Sequence, residues 1–194
     1  MNREEAIAHG MEVHETKHSM KRRCPWHDYR KKGTYMLTLV VEGRVPLLGE
    51  LKGNAEAPLE SPDAPCVEYS ELGNAILRDE ICKINKFYSQ VEIWKVCIMP
   101  DHIHMIVRVK EYLPEKNHLG MVVRGFETGC SRAWWHVQNL VEKPQERWLE
   151  AATVPSVSPE GHRPVLFEEG YNDKILMHEG QLDNWKPLPQ MQHS

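Results

Sequence analysis

Between Val91 and Val109 two apolar runs meet at Pro100-Asp101, and this junction constrains the fold more than any other stretch of the chain. Residues 91–99 read as one strand and the segment after Pro100 as the next. Strands joined so tightly pair antiparallel. Successive side chains on a strand point to opposite faces, so residues two apart share a face. His102 and His104 therefore project one way, with Ile106 and Arg108 beyond them. Ile103, Met105, Val107 and Val109 project the other way and form an apolar row suited to a core. Two imidazoles side by side on a rigid strand make half of a divalent-metal site. In a chain with eleven histidines, a chance pairing is the competing account of a bare His-x-His.

The rest of the pattern builds a sandwich around that pair. Residues 34–42 are apolar and β-branched enough for a central strand. Gly43-Arg44 suggests a turn, residues 45–51 a short second strand, and 52–66 a surface loop. A helix starts at Ser70-Glu71 and runs to about Tyr88. Leu72, Ile76, Glu80 or Ile81, and Ile84 are its inward stripe, with Asp79, Glu80, Lys83 and Lys86 outside. A second helix runs from about Leu119 to Val141, with Arg124, Arg132 and His136 off its buried stripe. Residues 142–164 read as a loop, and 165–177 as the last strand with a turn near Gly170. Strand, helix, two strands, helix and closing strand give a ferredoxin-like α+β sandwich, an antiparallel sheet with helices on one face.

At 194 residues the chain is long enough for one domain with a real core. Residues 1–21 are polar and without period and read as a flexible extension. A net charge of −4 does not advertise nucleic-acid binding, so any such contact must come from local basic patches. One patch is the segment 21–32, where six cations interleave with Trp26 and Tyr29. It can contact phosphates and stack on bases, or serve as a solvated lead-in with its aromatics as lids on the core. Five cysteines without a C-x-x-C pair suggest buried free thiols in a reducing cytosol. There is no signal peptide and no apolar run of membrane-spanning length, which suggests a soluble cytoplasmic protein with no membrane partner.

Pro-Asp-His-hydrophobic-His followed by an apolar strand resembles the HUH motif of single-strand DNA nucleases and transposases. The phrase Met99-Pro100-Asp101-His102-Ile103-His104 is similar to REP-associated tyrosine transposases and their insertion-sequence-200-like relatives. The resemblance extends to Arg124-Gly125-Phe126, Cys130-Ser131-Arg132, Leu166-Phe167 and Gly170-Tyr171, and spans residues 22–185. It implies metal-dependent cleavage and strand transfer of single-stranded or hairpin DNA, with DNA transposition as the process; the sequence leaves monomer and homodimer equally open. His102 and His104 would hold Mg²⁺ or Mn²⁺. Imidazole suits Mn²⁺ better, so an oxygen ligand is also needed. Arg22, Arg23, Trp26, Arg30, Lys31 and Lys32, with Arg124 and Arg132, would form a basic surface reaching the histidine cleft.

The resemblance also implies a tyrosine that attacks DNA and leaves a 5′-phosphotyrosyl link, a reversible bond that needs no energy cofactor. Its place is a helix after the last strand, yet Gly180-Gln181-Leu182 is followed by neither Tyr nor Asn-Pro. Leu188 stands at about that position, and Pro187 and Pro189 cannot both lie inside a helix. Tyr171 is the later tyrosine that could substitute, with core packing as its competing role. Residues 186–194 therefore read as an atypical, truncated tail and catalysis as impaired. The alternatives are a non-catalytic module binding hairpin or single-stranded DNA, and a small metal enzyme unrelated to DNA.

Overall fold

Strand β1 (Gly33–Val40) shows how the sheet divides its two sides, because Tyr35, Leu37 and Leu39 are buried while Met36, Thr38 and Val40 are only half-buried. In the computed structural model, residues 3–10, 24, 27–54, 56–58, 60–142, 165–177 and 180–181 are described. The elements after the short helix α1 (Arg3–Ala8) and β1 are β2 (Gly49–Lys52), β3 (Cys66–Tyr69), α2 (Glu71–Ala75), a π turn (Ile76–Glu80), α3 (Ile81–Phe87), β4 (Val91–Met99), β5 (His102–Val109), α4 (Leu119–Glu142) and β6 (Asn172–Leu176). The main sheet has the order β4-β5-β1-β6, with every pair antiparallel. This is the ferredoxin-like α+β arrangement, and β5 lies inside it.

The apolar row of β5 packs under the helices. Ile103, Met105, Val107 and Val109 join Tyr35, Leu37 and Leu39 in one core cluster with Leu72, Ile76 and Ile84 and with Leu119, Val122, Val123 and Phe126 of α4. Both helical segments thus cover the same face of the sheet. Ser131 ties α4 to the returning chain, accepting a hydrogen bond from the Leu166 amide at 3.2 Å. No helix among the described residues is long and apolar enough to cross a membrane.

Four features depart from the sequence reading. The second strand is Gly49–Lys52 rather than residues 45–51, and it pairs in a separate two-stranded sheet with Cys66–Tyr69, which starts at the last residue of the segment that reads as loop. Pro46 has no N–H to give a ladder, and four-residue strands are too short to show alternation. The first helix contains the π turn, whose extra residue per turn rotates Glu80 inward, and its side chain is buried. Lys83 hydrogen-bonds the Glu80 carboxylate, and Gly129 of α4 leaves the space it occupies. Of the cysteines, Cys97 and Cys130 are buried, Cys24 and Cys66 are half-buried and Cys82 is exposed, all of them free. The last strand is also shorter, with Phe167 bridging Val41 and Gly170 turning at φ 80° before β6.

Helix α2 docks through Gly73. Ser70 caps the helix, accepting from the Gly73 amide at 3.0 Å and donating to the Leu47 carbonyl at 2.7 Å. A Cβ at Gly73 would overlap the Leu48 carbonyl oxygen. Alanine gains about 1 kcal/mol in helix propensity, but overlap with fixed backbone costs about 1–3 kcal/mol. Gly73→Ala should therefore destabilise the protein in urea unfolding; a neutral or stabilising effect would show that α2 is not seated against Leu48.

Candidate metal and nucleic-acid site

The pleat of β5 sets His102 and His104 on the side of the sheet away from the helices. Their rings lie edge to face with centroids 4.7 Å apart. Each ring is anchored through Nδ1, His102 to Asp101 Oδ1 at 2.6 Å and His104 to Thr38 Oγ1 at 2.9 Å. Thr38 reaches His104 because the two residues are direct partners across β1 and β5. Neither Nε2 has a hydrogen-bond partner among the described residues. With the proton on Nδ1, both outer nitrogens present lone pairs, the state a metal ligand requires. Burial, helped by the neighbouring His102, pushes the His104 pKa down to about 4, so this ring is neutral at pH 7.

Asp101 is not aimed outward as a further ligand. Its carboxylate turns back to bind His102 Nδ1 and Arg44 Nη1, the latter at 2.8 Å. Burial alone would raise its pKa, but the His102 hydrogen bond and charge, with Arg44, outweigh that and hold it below the ordinary value. Arg44 reaches this position from a left-handed backbone, φ 54°, directly after Gly43 at φ 63°. The result is a relay from Arg44 through Asp101 to His102. Among the described residues no group of three or more His, Cys, Asp or Glu side chains is arranged around a metal position. The donor set fits two ligands of a divalent cation, with oxygen still to be supplied from elsewhere.

Sequence reasoning missed Arg44 and Thr38 as parts of this site. A cation after a turn glycine and a threonine facing a histidine position in an apolar strand were their only signals.

The other candidates are spread over the molecule. Tyr171 is 8% exposed and packs in the core cluster, on the helix side of the sheet. Arg124 and Arg132 are exposed on α4, in the helix layer rather than on the imidazole face. Arg30 chelates Asp28, at 3.0 Å from Nε, and stacks over Tyr112 at 5.1 Å. Lys31 and Lys32 are exposed just before β1. Arg22, Arg23 and Trp26 lie outside the described residues, as do residues 182–194 of the tail. Tyr29, Tyr35 and His27 form an aromatic knot at the foot of β1, with Tyr29 donating to Asp173 at 2.6 Å. Burial pushes the pKa of both phenols up to about 12, the Asp173 hydrogen bond adding to it at Tyr29.

No family model matches this chain, and no curated protein matches it in sequence. A solved structure of a REP-associated tyrosine transposase bound to a REP hairpin aligns at 13% identity and a TM-score of 0.39, over 84% of this chain and 64% of that one. A presumed transposase from Deinococcus radiodurans R1 aligns at 14% identity and a TM-score of 0.40, over 84% and 92%. The chain thus spans less than two thirds of the hairpin-bound protein. Likeness this low transfers no residue roles, and the site stands on its own geometry.

Two measurements follow. Groups that hydrogen-bond the non-ligating nitrogen of a metal-bound histidine are typically worth about ten- to a hundredfold in metal affinity. Asp101→Asn should weaken Mn²⁺ binding by that order in calorimetry with the fold retained, and Arg44→Met should act in the same direction; unchanged affinity in both would remove the relay. The second concerns reach. Val40 pairs with His102 and Gly33 with Val109, so Lys31 and Lys32 sit at the opposite end of β1 from the imidazoles. Lys32 and Thr38 are about 20 Å apart along the strand, or about six stacked nucleotides at 3.4 Å each. Replacing both lysines by alanine should weaken binding of long single strands and leave tetranucleotides unaffected.

Proposed function

We propose that this chain binds single-stranded or hairpin DNA through a divalent cation, Mg²⁺ or Mn²⁺, held by His102 and His104, in the manner of the HUH transposases its central motif resembles. The supporting observation is the paired geometry: adjacent rings, each anchored at Nδ1, with both Nε2 atoms open. When bound, the cation supplies positive charge against the nonbridging oxygens of a phosphodiester. The chain's own residues do the positioning. Asp101 and Arg44 fix one ring, Thr38 fixes the other, and the buried apolar row of β5 holds the strand beneath them. Two nitrogens do not fill a Mg²⁺ or Mn²⁺ shell, so substrate and solvent oxygens complete it.

Cleavage and strand transfer need a nucleophile as well, and the placement of Tyr171 in the core favours the non-catalytic form of this reading. A phenol packed on the helix side of the sheet cannot attack a phosphate held on the imidazole side without unpacking. The protein then serves as a DNA-binding module of transposase type whose tyrosine chemistry is weak or lost.

In fluorescence anisotropy with hairpin DNA, Mn²⁺ should strengthen binding by the wild type and not by the His102→Ala, His104→Ala double variant. The expected difference is about 1.5–3 kcal/mol, the worth of hydrogen bonds to charged groups, roughly ten- to a hundredfold in Kd. Binding indifferent to Mn²⁺ would sink the cation-mediated reading. On a denaturing gel, no covalent adduct that disappears in Tyr171→Phe should form; such an adduct would make the protein an enzyme and Tyr171 its nucleophile.

A further inference from the structure

A bulge in the edge strand β4 sets an aromatic ring beside a cation on the imidazole side of the sheet. The pairing of β4 with β5 shifts register between Ile93 and Lys95, leaving Trp94 as the extra residue. Bulges on edge strands re-aim side chains in this way. Trp94 is 43% exposed, and the Arg108 guanidinium lies over its ring, 4.8 Å from the centroid. Arg108 shares its face of β5 with His102 and His104 and is the exposed position of that strand. Glu92 stands directly opposite it in register, yet the guanidinium makes no hydrogen bond or ion pair among the described residues. All its donors remain available while its planar face rests on indole.

We infer that Trp94 and Arg108 form a nucleotide subsite for single-stranded DNA, the indole stacking on an unpaired base and the guanidinium holding the adjoining phosphate. This rests on the DNA-binding reading above and adds to it a second contact at fixed spacing. Arg108 lies four residues along β5 from His104, about 13 Å at the rise of a strand. That distance is about four nucleotides at 3.4 Å per phosphate, so one strand of that length can span both places, passing over the buried Ile106 between them. Duplex DNA offers no free base face, so the subsite discriminates in favour of unpaired nucleotides. Lys95, the next residue of the bulge, is exposed beside it and adds to the local positive charge, while Glu92 opposes it.

The test is anisotropy with the full chain, labelled oligothymidine, the matching duplex and Mn²⁺. Trp94→Ala should weaken single-strand binding roughly tenfold, the scale of one base–aromatic stack. Duplex binding and Mn²⁺ affinity should stay as in the wild type, and Trp94→Phe should restore most of the loss. Arg108→Gln should weaken binding and reduce the salt slope by about one phosphate contact. Unchanged thermal unfolding in these exposed-site variants would confirm that binding, not folding, was altered. If Trp94→Ala binds the single strand as the wild type does, while that binding still needs His102, the pair is a surface contact only and the subsite is overturned with the proposed function intact. If the wild type binds Mn²⁺ but no single-stranded DNA, the proposed function falls and this inference falls with it.

Discussion

The pleat of β5 is the constraint on which the rest depends, because one strand must satisfy two opposed surfaces. Its inward row, Ile103, Met105, Val107 and Val109, is almost wholly excluded from solvent, and the outward row begins with the two imidazoles. A slip of one residue would carry the histidines into the core and the apolar row into solvent. Neighbours on both edges and the turn before the strand prevent it. The Val41 amide donates to Asp101 O and the Leu48 amide to Pro100 O, each at 2.9 Å, so the turn is hydrogen-bonded to the chain leaving β1. The outward row is not polar throughout, since Ile106 is fully buried there. Fold and site therefore share one backbone, and the core row positions the imidazoles.

The charged groups beside the pair make little sense as stabilisers of the fold. Arg44 adopts a left-handed conformation, which costs a non-glycine residue about 1–2 kcal/mol. Its Nε is buried without a hydrogen-bond partner among the described residues, at a cost of about 1–3 kcal/mol. Replacing a buried ion pair by apolar residues is often neutral or stabilising. Energetics alone would thus favour a hydrophobic side chain at residue 44. What the pair does provide is a fixed orientation for His102, whose Nδ1 can donate only to a carboxylate held in place.

Much of this architecture was legible in the sequence because its signals are periodic. Alternation over eight residues marks β5, and the apolar stripes of the helices mark their buried sides. The order of elements then leaves few topologies. The misses share a different cause, since they depend on single contacts at long range. The β2–β3 ribbon is too short for a pattern, and the π turn shows only as the inward rotation of Glu80. Ideal strand alternation would assign Asp101 the face opposite His102. It lies in the turn before β5, where that alternation does not yet apply, and it swings back to its neighbour's ring. Grouping Arg124 and Arg132 with the histidines failed to anticipate the layers: α4 packs on one side of the sheet and the imidazoles lie on the other. Trp94 carried no signal because a bulge is invisible without its partner strand.

Charge decides how such a site would work. The chain as a whole is acidic, with a net charge of −4. Around the imidazoles Arg44 offsets Asp101, and His104 is neutral at pH 7 because burial depresses its pKa. The described side chains at the pair therefore offer a phosphate little attraction of their own. A divalent ion on the two nitrogens would change that balance by two charges at one point. DNA would then gain affinity mainly when the ion is present, and the ion would gain oxygen ligands mainly when DNA is present. Such coupling is reciprocal by thermodynamic necessity. An anionic protein can in this way hold a polyanion locally without becoming a general binder of nucleic acid.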